Sequence, residues 1–151
     1  MLINAVFAFL HFSAVFGIFA TVFGCWLLLR QMPSCAQARQ IQVCDRWYGV
    51  CAASVLVVGL LRVVYFEKGL AFYASSPFFA LKMALFLLVG LLSIYPSVQF
   101  IHWGRQTGQG LPPQISKQQF SRLRLLLSLE LIVLFGVALC AALMAKGVGA
   151  S

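Results

Sequence analysis

Charged residues are scarce in this sequence, and acidic residues are scarcer still. Of its 151 residues, 9% are charged and only three are Asp or Glu. Soluble domains are typically about 25% charged, so the composition excludes an ordinary water-soluble protein. Because 62% of the residues are hydrophobic, the sequence predicts one integral membrane domain, over residues 1–151, in a lipid bilayer.

The sequence also lacks the motifs of several enzyme classes. It has no CxxC pair, no nucleotide-binding loop, no zinc-ligand cluster and no hydrolytic triad. Its five cysteines are interpreted as structural, because cysteine in an apolar stretch usually behaves as a small hydrophobe. The net charge of +8 does not indicate nucleic-acid binding, since the basic residues lie mostly in predicted loops and helix ends.

Four apolar stretches are long enough to cross a bilayer as helices. We predict spans at about residues 2–29, 47–66, 77–103 and 120–145. The fold class is therefore all-α, a membrane bundle of four transmembrane helices. Residues 30–46, 67–76 and 104–119 are expected to connect them, and Trp47 and Tyr48 are expected to lie at a membrane surface, as aromatic belts do.

The distribution of basic residues predicts the orientation of the bundle. The loop over residues 30–46 holds three basic residues, and the loop over 104–119 together with the following helix start holds four. By the positive-inside rule both loops face the cytoplasm. The N terminus, the C terminus and residues 67–76 are then expected to face outward.

A ridge of small residues runs along the first predicted span. Ser13, Gly17 and Thr21 recur every four residues, and Gly24 lies one turn further on. Such a ridge lets a neighbouring helix approach closely, and it predicts a homo-oligomer. His11 lies on a different face of the same helix, because two residues rotate a helix by about 200°.

Four ionisable side chains fall inside the predicted spans: His11, Arg62, Lys82 and Glu130. Each charged side chain costs about 2.5–3.5 kcal/mol at the centre of a membrane helix. At about 1.5 Å per residue, His11, Arg62 and Lys82 fall in the outer half of the membrane and Glu130 near its middle. One acid cannot neutralise two bases, so the surplus positive charge predicts an anionic ligand such as a carboxylate. Structural interpretations stay open, because Arg62 and Lys82 can snorkel while His11 and Glu130 can hydrogen-bond within the bundle.

Pro96 lies inside the third predicted span. A proline there removes one backbone hydrogen bond and is expected to kink the helix near Ser93. The hydroxyls of Ser93 and Tyr95 are further polar groups at membrane depth. We expect them to satisfy carbonyls that the proline leaves free.

The residues from the second span to the third resemble a known family. The runs that carry the resemblance are GLLRVVYFEKG at 59–69, FY at 72–73, PFFALK at 77–82 and LLSIYP at 91–96, with Phe100 and Trp103 following. They resemble the predicted bacterial membrane proteins of the domain-of-unknown-function family numbered 2214. The resemblance covers nearly the whole chain and implies a multi-pass protein of the bacterial inner membrane.

A second similarity is to the membrane-bound, haem-carrying protoporphyrinogen oxidases of bacteria, which have about the same size and helix count. In that family a first-helix histidine is tied to haem b and forms a functional pair with a third-helix lysine. By position, the resemblance implies His11 as the ligand of the haem iron and Lys82 as a catalytic residue. Neutral imidazole is a common axial ligand of haem iron, and Arg62 or Lys82 could bind the propionates.

Two classes of function stay open on the sequence alone. The first is a haem-binding inner-membrane redox protein, an oxidoreductase whose ligand is a tetrapyrrole or another anionic molecule. The alternative is a non-enzymatic membrane protein, either an assembly subunit or a small proton or solute carrier. In that case Lys82, Arg62 and Glu130 would form a buried charge network.

Overall fold

The computed structural model describes residues 2–66 and 77–146, and this part of the chain holds helices and turns but no strand. Its four long helices are α1 (Leu2–Leu28), α2 (Cys35–Leu61), α3 (Pro77–His102) and α5 (Lys117–Ala145). A π-helical turn (Arg62–Phe66) extends α2, and the short helix α4 (Gly104–Gly108) follows α3. All four long helices are apolar and long enough to cross a membrane, which confirms the predicted all-α bundle.

Two of the long helices begin at the same motif, Ser-x-x-Gln. The hydroxyl of Ser34 accepts from the amide of Gln37 at 3.3 Å, and the Gln37 side chain accepts from the amide of Ser34 at 2.9 Å. Ser116 and Gln119 form the same reciprocal pair, at 3.1 and 2.9 Å. These capping boxes satisfy amides that the first turn of a helix leaves unpaired, so they fix where α2 and α5 begin.

The second helix starts earlier than the predicted span. The predicted span begins at Trp47, whereas α2 begins at Cys35 because Ser34 caps it. Asp45 therefore lies about three turns inside a helix rather than in a loop. The fourth helix also begins earlier, at Lys117 rather than Phe120. The predicted connection over residues 67–76 lies outside the described residues.

The four long helices form two hairpins that face each other. α1 packs most extensively against α2, and α3 against α5, while contacts of α1 with α5 and of α2 with α3 join the two pairs. Within the described residues no Cα atom of α1 lies within 8 Å of one in α3, and none of α2 lies within 8 Å of one in α5, so these pairs are diagonal. Long side chains still meet across the centre, as Tyr48 and Glu130 do. Each long helix also exposes large apolar side chains, for example Phe16, Leu60, Leu91 and Phe135. An apolar exterior of this kind suits a bilayer.

The small-residue ridge of α1 packs inside the chain. A Cβ atom added at Gly17 would collide with the Sγ atom of Cys51, and one added at Gly24 would lie 3.5 Å from the Sγ atom of Cys44. Both cysteines belong to α2, so the ridge serves the contact between α1 and α2. Gly17 and Gly24 are therefore occupied within the chain, whereas Ser13 is exposed, and the homo-oligomer stays a prediction.

The bundle has two distinguishable ends. The connections over residues 29–34 and 109–116 lie at the same end, because successive long helices alternate in direction. We call this the short-loop end and the opposite one the far end. The predicted orientation places the short-loop end in the cytoplasm, and this orientation stays a prediction.

Candidate functional site

Glu130 lies near the middle of α5 and is enclosed by the bundle. Only 1% of its surface is exposed, and its Oε1 atom has no hydrogen-bond partner within the described residues. An ionised carboxylate in such a place is costly unless a counter-charge or hydrogen bonds compensate. A buried ionisable group inside a membrane helix is therefore the first candidate for a functional site.

A small internal cavity lies beside Glu130. Its volume is about 10 Å³, which is about the room that one water molecule needs. Side chains from all four long helices line it. The polar ones are Thr21 and Cys25 of α1, Asp45 and Tyr48 of α2, Ser93 and Ser97 of α3, and Glu130 of α5.

Most hydroxyl groups around the cavity already donate a hydrogen bond to another group. Thr21 and Ser93 each donate to a backbone carbonyl of their own helix at 2.8 Å. Ser97 Oγ donates to Asp45 Oδ1 at 2.6 Å. Because a hydroxyl has one proton, these three oxygens can only accept hydrogen bonds from the cavity. Tyr48 is the remaining hydroxyl in the lining, and it interacts with Glu130.

Acceptors therefore outnumber donors around the cavity. Asp45 and Glu130 are two of only three acidic residues in the chain. Among the described residues that line the cavity, none is a lysine or an arginine. A proton or a cation would supply what this lining lacks, whereas an anion would meet two carboxyl groups.

A row of polar contacts runs from the cavity toward the short-loop end. Arg39 donates to the carbonyl of Thr107 at 2.6 and 3.2 Å. Gln42 donates to the carbonyl of Phe100 at 2.8 Å. Together with Asp45, these residues follow one another at three-residue intervals along α2, where side chains are neighbours. We call Arg39, Gln42 and Asp45, with their partners on α3 and α4, the polar seam.

His11 and Arg62 both lie where α1 meets the far end of α2. The imidazole of His11 packs against Gly59, where an added Cβ atom would lie 3.3 Å from the Cε1 atom of the ring. The guanidinium carbon of Arg62 lies 5.9 Å from the ring centroid of Phe12. The first hairpin thus brings these two predicted residues to the same region, and their functional roles stay predictions.

Lys82 lies on α3, diagonally across from α1. Its Nζ atom lies 5.0 Å from the ring centroid of Phe79. Lys82 precedes the cavity residue Ser93 by eleven residues, so it lies about 16 Å further along the bundle axis. Asp45 and Tyr48 lie beside Glu130. Arg62 and Lys82, the basic residues that the sequence groups with Glu130, lie in the half of the bundle toward the far end.

The internal cavity does not fit a porphyrin, because it has room for about one water molecule. His11, the predicted axial ligand, is ten residues before the cavity residue Thr21 and therefore about 15 Å away along the axis. No group of three or more His, Cys, Asp or Glu side chains that could hold a metal ion occurs in residues 2–66 and 77–146. Binding of haem b at His11 stays a prediction.

Pro96 is accommodated inside an unbroken α3. A proline at this position leaves the carbonyl of Leu92 without its helical donor. The Ser93 hydroxyl donates to the carbonyl of Gly90, so it does not satisfy the Leu92 carbonyl as expected, and Ser93 lines the cavity instead. Tyr95 is partly buried and packs against the apolar core.

Asp45 and Tyr48 are site residues that the sequence did not predict. The sequence placed Asp45 in a loop and Tyr48 at a membrane surface, and both follow from starting the second helix too late. The Ser34 and Gln37 capping motif is the signal that would have found them, because it adds three turns to the helix.

These features define an integral membrane protein, a four-helix bundle with a buried acidic site. The chain belongs to the family of predicted membrane proteins numbered 2214 (DUF2214), whose sequence profile matches residues 3–149. The family resemblance seen in the sequence is thereby confirmed. No curated protein and no solved structure matches the chain, and the similarity to protoporphyrinogen oxidases receives no support from these comparisons.

Proposed function

We propose that this protein binds protons at Glu130 and carries them through the membrane. The observation that supports this proposal is the Glu130 carboxyl group, which is buried without a partner for Oε1 beside a cavity rich in acceptors. A proton on the carboxyl group removes its charge and turns one acceptor into a donor. Intramembrane carboxyl groups that face the interior of a bundle often belong to proton pathways.

The size of the cavity favours a proton over a larger cation. A hydrated metal ion or an organic cation needs several times the space of the single water molecule that fits about 10 Å³. A proton needs only an acceptor, or an acceptor and one water molecule. The small volume therefore selects among the positively charged species that the acidic lining would attract.

The lining also indicates an order of proton transfer. Asp45 is only partly buried and is oriented by Ser97, so it is the carboxyl group nearer to water. Glu130 is the enclosed one, and Tyr48 interacts with it. When a proton leaves Asp45 and arrives on Glu130, the total charge of the cavity is unchanged. This step therefore avoids separating charge in a medium of low dielectric constant.

Proton flux into liposomes tests the proposal. The purified protein is reconstituted with an internal pH-sensitive dye, and a potassium gradient with valinomycin sets the membrane potential. We expect wild-type protein to acidify or alkalinise the lumen faster than protein-free liposomes. Glu130→Gln keeps the shape of the side chain but cannot exchange a proton, so it should reduce the flux to background.

The third acid of the chain provides a matched control. Glu67→Gln makes the same chemical change in the connection predicted over residues 67–76, so it should leave the flux close to wild type. Equal flux for wild type and Glu130→Gln would contradict the proposal. So would a wild-type flux no greater than that of protein-free liposomes.

A further inference from the structure

The two sides of Glu130 along the bundle axis differ in the polar contacts beside the apolar core, which run toward the short-loop end. We propose that protons reach Glu130 from the short-loop end through the polar seam, and that an apolar layer closes the site toward the far end in this conformation. This inference deepens the proposed function and rests on Glu130 as its proton-binding group. It adds the direction of access and the residues that set it.

The apolar layer has one buried member from each long helix: Ile18, Val55, Val89 and Leu134. Their exposed fractions are 2%, 8%, 2% and 3%, respectively. Each one lies on the far-end side of a cavity residue of its own helix. For example, Leu134 is one turn beyond Glu130, and Val89 is one turn before Ser93.

An apolar layer of this kind is a barrier to protons. Aliphatic side chains offer neither a donor nor an acceptor, and closely packed ones leave no room for water. The hydroxyl of Ser54 lies near this level of α2, but it donates to the carbonyl of Val50 within its own helix at 2.8 Å. A proton moving from the cavity to the far end would therefore have to cross a layer without polar side chains to carry it.

The side toward the short-loop end also holds buried apolar side chains, such as Leu29, Ile41 and Leu123. It differs from the far side because a row of hydrogen-bonded polar groups runs beside them. There the boundary of α2 with α3 and α4 includes hydrogen-bonded polar groups as well as aliphatic side chains. Exposure rises along this boundary, since Asp45 and Gln42 are partly buried while Arg39 is exposed. Polar groups that become more exposed toward one end give water and protons a path from that end.

The contacts that make up the seam lie at one of the two boundaries that join the hairpins, the other being that of α1 with α5. α2 and α3 pack together less extensively than the helices within either hairpin. Their boundary is therefore the place where small separations of the hairpins cost least apolar contact. Such separations would admit water to Asp45 while the apolar layer stays packed.

Carboxyl labelling from either face of the membrane tests this inference without measuring flux. A membrane-impermeant carbodiimide with a cationic headgroup is added to sealed vesicles of each orientation, and mass spectrometry quantifies adducts on Glu130 and Asp45. An impermeant amine reagent reports the orientation of each preparation. Lys117 and Lys146 are suitable reporters, because they lie at opposite ends of α5 and both are exposed.

We expect both carboxyl groups to be labelled from the face where Lys117 reacts, Asp45 faster than Glu130. The cavity itself has no room for the reagent, so labelling takes place while the hairpins separate along the seam. From the face where Lys146 reacts, neither should be labelled. Equal labelling from both faces, labelling from the far end only, or no labelling from the short-loop end would each overturn the inference.

Two variants make the result specific to the seam and the layer. Gln42→Leu removes one hydrogen-bonding side chain from the seam. Labelling of Glu130 should then be slower by about tenfold, the rate change that corresponds to the free energy of one lost hydrogen bond. The matched control is Gln40→Leu, at an exposed position of the same helix, which should not slow it. Val89→Ser in the apolar layer should allow labelling from the far end as well.

The outcome is separable from that of the flux experiment. One-sided labelling with no proton flux would keep the access route and reject proton transport. Flux that depends on Glu130 together with equal labelling from both faces would keep the proposed function and reject the access route.

Discussion

The two halves of the bundle hold their charged side chains in different ways. In the far half, the basic heads lie over aromatic rings, Arg62 over Phe12 and Lys82 over Phe79. In the half nearer the short-loop end, Asp45 and Glu130 line the small cavity between the helices. Long basic side chains can bury an apolar stem while the charged head reaches toward water, and acidic side chains are too short to do so. The buried acids are therefore the more informative charges in these helices.

This difference also explains why the acidic half, rather than the basic half, supports a function. Cation–π contacts of exposed or partly exposed heads contribute about 0.5–1 kcal/mol and stabilise the fold without requiring a ligand. The Oε1 atom of Glu130 has no partner within the described residues. An unsatisfied buried acceptor costs about 1–3 kcal/mol, which a bound proton or water can recover.

The largest expected difference is between two single variants, each of which neutralises one charged side chain in one half of the bundle. Glu130→Gln should abolish proton flux into liposomes, whereas Lys82→Gln should leave it within about twofold, because Lys82 lies about 16 Å from the cavity along the axis. The comparison fails if Lys82→Gln lowers the flux as far as Glu130→Gln does.

The next effect concerns the packing that holds α1 against α2. Gly17→Ala adds a methyl group where Cys51 already sits, so it should lower the free energy of unfolding by about 1–3 kcal/mol, as overpacking does. Gly90→Ala is the control, since an added Cβ there meets nothing within 4 Å. Reversible unfolding in mixed micelles measures both. Equal stability of the two variants would show that the ridge is not a packing surface within the chain.

A smaller effect is expected from the hydroxyl that orients Asp45. Ser97→Ala removes the donor at 2.6 Å and should slow proton flux severalfold without abolishing it, because Asp45 keeps its carboxyl group. Ser54→Ala is the matched control, since that hydroxyl bonds its own helix away from the cavity. Proton flux into liposomes at several membrane potentials gives the rates of the two variants. An unchanged rate for Ser97→Ala would remove Asp45 from the pathway.

The smallest effect on proton flux is expected at His11. His11→Ala should leave the flux near wild type, because the imidazole lies about 15 Å along the axis from the cavity. The same variant tests the haem prediction. A Soret band of wild-type protein from haem-replete cells that disappears in His11→Ala would support haem binding at His11. Colourless wild-type protein would reject it.

Much of the architecture could be predicted from the sequence, because bilayer thickness and hydropathy fix the number and approximate position of the spans. The all-α bundle and the position of Glu130 near the middle of the fourth long helix follow from that pattern. Helix starts did not, since they depend on a cap such as Ser34 rather than on hydropathy. Residues 35–46 are therefore predicted as part of a loop, although they form the first turns of α2.

The partner of Glu130 could not be predicted for a related reason. Distances along the axis follow from residue counts, but the face of a helix that meets its neighbour depends on packing between hairpins. The early start of α2 places Asp45 at the level of Glu130, and the hairpin arrangement turns it toward Ser97. Total charge alone favours pairing of Glu130 with Arg62 and Lys82. The two basic residues lie at a different depth along the bundle axis from Glu130, which separates them from it.

The most direct test of the proton-binding site is a pH-induced infrared difference spectrum of the protein in lipid. We predict a band of a protonated carboxyl group that appears on acidification, shifts in D₂O and is absent from Glu130→Gln, while Glu67→Gln retains it. An identical difference spectrum for wild type and Glu130→Gln would contradict the account, because it would show that no proton is exchanged at Glu130.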